Sequence, residues 1–262
     1  MQRSRAADAM RSKPKPYAGL LAVALAVAAL ARATEAGPLT PSDQAAINAY
    51  RTAIHVAETT RRPRTIESAF SAFAALREAL MRIGDDHDSV IESLPDEAFD
   101  GLQRDLPGVL LNRTEVAFVE PDPAYFSRLA ATRGDAVDRT FFAALTATYP
   151  ESEWPVYVDS QTDYGGCVRF GSMALVDTYR LWSGFRRHYP TRYRSASGHE
   201  VDAVVMELAQ STCACDSVPE VERELEEFVR SFPKSPARPA IEQRLHDIRR
   251  GRSTIHPHCV PG

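Results

Sequence analysis

The chain has 262 residues, with 31 Lys or Arg against 35 Asp or Glu and a formal net charge of −4. That length can bury a substantial core, in one large or two small domains. The negative balance argues against nucleic acid as a partner and against an anionic membrane as the main one.

Residues 1–36 read as a signal peptide. Arg3, Arg5, Arg11, Lys13 and Lys15 make a basic start, and Ala18 to Leu30 is apolar and uncharged. A bilayer span needs about 20 apolar residues, so this shorter stretch fits the apolar region of an export signal. Ala31-Arg32-Ala33 supplies a small-x-small cleavage pattern and Ala36 a second candidate end, with an uncleaved anchor as the alternative. Removal after Ala33 would leave 25 basic residues against 34 acidic ones and a single lysine, Lys234. The expected location is the bacterial periplasm or the medium, with no membrane span after cleavage. Asn112-Arg113-Thr114 fits the N-glycosylation triplet, but nothing else indicates a eukaryotic route.

Residues 37–106 form an N-terminal helical region. Ile47, Tyr50, Ile54 and Ala57 recur at helical spacing, Arg61-Arg62-Pro63-Arg64 interrupts, and Ile66, Phe70, Phe73, Leu76, Leu80 and Ile83 make a second stripe ended by Gly84. The two are predicted to form an antiparallel hairpin. Asp85-Asp86-His87-Asp88 offers four oxygen or nitrogen ligands, but adjacent side chains converge poorly on one ion and no calcium-loop glycine follows. A solvated helix start before Val90, Ile91 and Leu94 is the preferred reading. Residues 107–122 are a β-hairpin insertion, with Val109 to Leu111 and Val116 to Val119 as its strands.

Residues 123–262 return to helix. Phe126 and Leu129 mark a short helix ended by Gly134. Val137, Phe141 and Leu145 mark the next, with Asp135 as its cap rather than part of an adhesion-type Arg-Gly-Asp. Later stripes are Leu175, Tyr179, Trp182 and Phe185; Val201, Val204, Val205 and Leu208; Val221, Leu225, Phe228 and Phe232; and Ile241, Leu245 and Ile248. One phrase recurs at Leu145-x3-Tyr149-Pro150, Phe185-x3-Tyr189-Pro190 and Phe228-x3-Phe232-Pro233: an apolar residue, an aromatic one turn later, then a proline that stops the helix. Leu102-x3-Leu106-Pro107 has the form too, but a β-like run follows it, so it is set apart. A spacing of about 40 residues is in the range of helical-hairpin repeats, and coincidence is the other explanation. The fold class is therefore mainly α: antiparallel helical hairpins, repeat-like in the C-terminal part, with a small β-hairpin near 108–120.

The stretch from Leu225 through Phe232-Pro233-Lys234-Ser235-Pro236 to Ala240 and Leu245 resembles one hairpin of the tetratricopeptide-like repeats of bacterial envelope proteins. It covers 221–248, and the tryptophan-Leu-Gly-Tyr signature is missing. The resemblance implies a protein-interaction scaffold.

Four cysteines in an exported chain imply disulfides. Cys213 and Cys215 are too close in sequence to pair easily. With Cys167 ahead of one helix and Cys213 behind its partner, and Cys215 and Cys259 flanking the next hairpin, the expected pairs are Cys167–Cys213 and Cys215–Cys259. The metal alternative would use Cys213, Cys215, His256, His258 and Cys259, but an oxidising compartment disfavours it, and no metal or other cofactor is expected. The segment 154–170 reads as a loop with a Gly165-Gly166 turn. Trp154, Tyr157, Asp163 and Tyr164 are its candidate ligand or partner contacts, against the reading that its aromatics fill the core. No Gly-x-Ser-x-Gly occurs. The leading expectation is a binding or scaffold module with a protein partner. The alternative is a small helical hydrolase using a histidine, from His55, His87, His188, His199, His246, His256 and His258, with a carboxylate such as Asp163 or Glu200. Catalytic residues and oligomeric state stay open.

Overall fold

A computed structural model describes residues 39–84, 88–114, 116–150, 154–162, 165–252 and 254–259. Its helices are α1 (Pro41–Thr59), α2 (Thr65–Met81), α3 (Asp96–Asp105), α4 (Pro123–Arg133), α5 (Ala136–Thr148), α6 (Ala174–His188), α7 (Arg194–Gln210), α8 (Val218–Ser231) and α9 (Arg238–Arg249). Two small sheets interrupt them: β1 (Val109–Asn112) with β2 (Phe118–Pro121), then β3 (Val158–Thr162), β4 (Gly165–Val168), β5 (Cys213–Ala214) and β6 (His256–Pro257). The protein is mainly helical with the expected antiparallel β-hairpin, in which Val109 pairs Pro121 and Asn112 pairs Phe118.

The apolar stripes decide the packing. In α1 the buried apolar residues are Ile47, Tyr50, Ile54 and Ala57, one face at three- and four-residue spacing. They meet the face of α2 made by Ile66, Ala69, Phe73, Leu76 and Leu80. That helix stops at Met81, so Ile83, expected to close its stripe, is exposed. Val90, Ile91 and Leu94 are buried from turns, and the next helix begins only at Asp96. No helix runs through the described residues 88–94, where one was predicted. Asp85, Asp86 and His87 lie outside the described residues.

Asp122 and Asp135 cap α4 and α5 as their position before each helix requires, each accepting two backbone N–H bonds. An aromatic core joins these helices to the rest: Phe70 meets Phe126, Phe141, Phe142 and Tyr193 edge-on, and Tyr193 stacks on Phe141 at 3.9 Å. Trp182 is fully buried and donates its indole N–H to Thr148 at 2.9 Å.

The recurring phrase is a helix stop in every instance. Tyr149, Tyr189 and Phe232 terminate α5, α6 and α8 with φ/ψ of −122/75°, −129/62° and −124/62°, each sending its N–H to the residue four back. The following proline excludes the helical conformation at these residues. Leu106 before Pro107 ends α3 the same way, at −118/75°.

The larger sheet was not foreseen. β3 and β4 are antiparallel, whereas β4–β5 and β5–β6 are parallel. Gly165 and Gly166 lie in β4 rather than in a turn. A Cβ on Gly166 would sit 2.3 Å from the Asp159 carbonyl oxygen, so strand pairing there needs glycine. Each parallel step is bridged by a helical hairpin, α6–α7 then α8–α9. Ala174 and Val218 open the first helices, Arg194 and Arg238 the second, an offset of 44 residues in each case.

Buried charges fasten the hairpins to each other. Glu224 of α8 is fully buried and accepts from the backbone N–H groups of Gly171 (2.5 Å), Leu175 (3.1 Å) and Val176 (3.4 Å). It thus caps α6, whose own N-cap, Met173, is left-handed and makes no side-chain cap. Arg244 of α9 donates to the carbonyls of Glu207 (2.8 Å), Leu208 (2.7 Å) and Ser211, closing the C-terminus of α7. Burial pushes the Arg244 pKa down to about 10 and raises that of Glu224 against the pull of its backbone donors.

Candidate functional site

The cysteines pair as Cys167–Cys215 and Cys213–Cys259, with Cα–Cα distances of 4.9 and 5.6 Å, and not as expected. The expected pairing followed from helix ends alone. The parallel sheet running across those ends changes the neighbours. The Cys215 N–H donates to Val168 of β4 at 2.9 Å, while Cys213 is the register partner of His256 in β6. Cys213 in β5 thus bonds Cys259 just past β6, and Cys215 just past β5 bonds Cys167 in β4. Each bond still brackets one hairpin, α6–α7 or α8–α9, with the roles of Cys213 and Cys215 exchanged. No cysteine is free, so the metal alternative lacks thiolates.

Beside the Cys167–Cys215 bond opens a cleft of about 470 Å³. Asp159 of β3 forms one wall, the segment from Arg169 to Ser172 another, and Cys215, Asp216 and Glu220 the third. Its rim is mainly acidic, and it sits where α6 and α8 begin. Asp159, Cys167 and Cys215 bring ligand atoms within 4.8 Å of one another, but the disulfide uses both sulfurs and leaves one carboxylate.

The four residues chosen from 154–164 divide. Tyr157 is 3% exposed and packs in the core with Phe170, Val204 and Leu208, so its aromatic ring fills the junction between hairpins. Trp154 is half-buried, and Asp163 and Tyr164 lie outside the described residues. The segment is the β3–β4 strand pair rather than a loop. Every described histidine is exposed, and none lines the cleft.

Two polar centres stand apart from the cleft: Glu200, offered above as a possible acid–base carboxylate, and Arg192, which sequence reasoning missed. Glu200 of α7 is 7% exposed and accepts the Tyr149 hydroxyl at 3.1 Å. Burial raises its pKa to about 7, opposed by the tyrosine bond and helped by Glu120 of β2. Arg192, in the α6–α7 turn, donates to Glu67 (2.5 Å), Asp135 (2.9 Å) and Asp138 (2.8 Å). Burial works against its charge, but these carboxylates hold its pKa above the ordinary value. Glu67 also accepts the Tyr193 N–H, and Asp138 the Tyr193 hydroxyl, each at 2.7 Å. The available signal was a charged residue on an apolar stripe: Glu200 between Ser197 and Val204, Glu224 between Val221 and Phe228, and Arg244 between Ile241 and Ile248.

Comparison with protein-family models, with curated proteins and with solved structures finds no match for this chain.

Proposed function

We propose that this chain is an exported binding or scaffold module of the bacterial envelope, whose helical hairpins present the strand-end cleft to a protein partner. The observation that carries this reading is the fastening of the α6–α7 and α8–α9 hairpins. Two disulfides and two buried charged caps hold them side by side, which suits a rigid presenting surface. Tetratricopeptide-like behaviour of these hairpins belongs to the same proposal, supported by their common offset and common proline-stopped turn. A histidine–carboxylate hydrolase finds less support, because the cleft carries acids and one arginine but no histidine.

The test is cross-linking and affinity capture from the native source, comparing the unaltered protein with the double variant Asp159→Arg, Asp216→Arg. Both positions are on the cleft wall and make no ion pair among the described residues. The expected result is loss of the specific partner with an unchanged melting temperature. Undiminished capture would remove the cleft as the contact surface.

A further inference from the structure

The net negative charge of the chain conceals a polarised distribution. Arg192 touches carboxylates from two other helix pairs, Glu67 just past the α1–α2 turn and Asp135 in the α4–α5 turn. Three hairpin turns therefore converge around one guanidinium. Each turn displays arginines outward. The first carries Arg61, Arg62 and Arg64; the second is flanked by Arg133 and Arg139; the third carries Arg186, Arg187 and Arg194. All eight are exposed, and none makes an ion pair with a described residue.

The acids at this end are turned inward. Glu67, Asp135 and Asp138 share Arg192, and Glu58 accepts the Tyr125 hydroxyl at 2.6 Å. Among the described residues of these turns, nine arginines thus accompany four carboxylates, three of them already bound to a single guanidinium. The acidic cleft is at the opposite end, since Gly171 and Ser172 precede α6 and the turn follows it. A 15-residue helix separates the ends, a distance of roughly 22 Å, at 1.5 Å per residue. The Debye length at physiological salt is about 8 Å, so an anionic surface at the turns is screened from the distant acids.

We infer that the turn end is a docking surface for anionic phospholipid headgroups, a role independent of which partner meets the cleft. A protein interface of this size would centre on exposed apolar or aromatic anchors. Of the exposed large apolar residues among those described, Ile83, Leu110, Leu181 and Met206 lie away from these turns, and only Val56, 36% exposed, is near. Charge without apolar anchors suits a headgroup layer, where each basic side chain near the surface adds to partition and nothing has to insert. Bound this way, the protein would hold its acidic cleft away from the bilayer.

Vesicle co-sedimentation of the full chain tests this. Vesicles containing about one phosphatidylglycerol in three should retain it at least tenfold better than phosphatidylcholine alone, and raised salt should abolish the increment. Retention on phosphatidylcholine measures any contribution of the apolar stretch Ala18–Leu30. Reversal at Arg186→Glu with Arg187→Glu should cut the increment about fivefold or more per arginine. Arg250→Glu, exposed at the far end of α9, should leave it nearly unchanged. Circular dichroism melting confirms that the variants fold. No increment on anionic vesicles, an increment insensitive to the turn reversals, or binding to poly-glutamate with none to vesicles would each overturn the inference.

Discussion

The helices of residues 41–148 and those of 174–249 are built alike, as antiparallel pairs with one apolar face, yet they are fastened by different chemistry. The first set is held by a ring of aromatic side chains and by one arginine, Arg192, reaching out of the second set. The second is held by two disulfides along a parallel ladder and by Glu224 and Arg244 at helix ends. The strands of that ladder are as short as two residues. So little sheet cannot secure two hairpins by backbone bonds alone, and covalent links replace what a longer ladder would supply. The aromatic set buries enough large side chains to need none.

The largest effect should come from the covalent side. Replacing Cys167 and Cys215 by serine releases a loop spanning 48 residues, worth about 4 kcal/mol by chain entropy before strain is considered. Urea unfolding should show a loss of that order. Equal stability of the variant would break the contrast, because packing alone would then suffice in both regions. Peptide mapping without reductant should recover the Cys167–Cys215 and Cys213–Cys259 links, and a Cys167–Cys213 link would restore the helix-end pairing.

On the other side, Arg192→Met should cost about 3 kcal/mol, since it strands Glu67 and Asp138 in a partly buried site. Arg192→Lys should recover only part of the loss, because an ammonium lacks the planar fork that meets three carboxylates. Full recovery by lysine would make the contact a matter of charge alone.

The helix pattern was legible because each stripe repeats over three or four turns, and the buried faces of α1 and α9 contain the residues the periodicity names. The proline phrase was legible for a similar reason, a local steric rule acting on one residue. The larger sheet was not legible. Cys213–Ala214 and His256–Pro257 are too short for any alternation, and their pairing is set by where the hairpins return the chain. The disulfide error followed from that gap, as did reading Gly165-Gly166 as a turn. The cleft lay outside sequence reasoning for the same cause: Asp159 and Asp216 meet only across the ladder.

Glu200 offers a pH handle at the seam between the regions, where the end of α5 meets α7. Its folded pKa, about 7, lies above the ordinary carboxylate value because burial penalises the charge. The folded state therefore holds the proton more tightly than the unfolded one. This contribution is fully present below about pH 4.5 and is lost as pH rises through about 7, a difference of roughly 3 kcal/mol. Glu200→Gln can still accept the Tyr149 hydroxyl. It should flatten the stability profile between those limits and raise stability at pH 8. An unaltered slope would place the pH dependence elsewhere.

The finest comparison uses one substitution in both regions. Tyr193 donates its hydroxyl to the carboxylate of Asp138 at 2.7 Å in a buried setting, while Tyr179 shares a 2.7 Å bond with the Ser235 hydroxyl at the α8–α9 turn. Bonds to charged groups contribute about 1.5 to 3 kcal/mol and neutral ones about 0.5 to 1.5. Tyr193→Phe should therefore cost about 2 kcal/mol, and Tyr179→Phe about 1 kcal/mol, in urea unfolding. Phenylalanine keeps both rings, so the stack on Phe141 and the contacts of Tyr179 with Phe228 and Phe232 survive. Only the polar bond is removed in each case. Equal costs would mean that Arg192 already satisfies Asp138 and that the tyrosine adds no more than a neutral bond would. A larger cost at Tyr179 would shift weight to the hairpin turn, where one hydroxyl pair would hold α6 against α8 beyond what the disulfides supply.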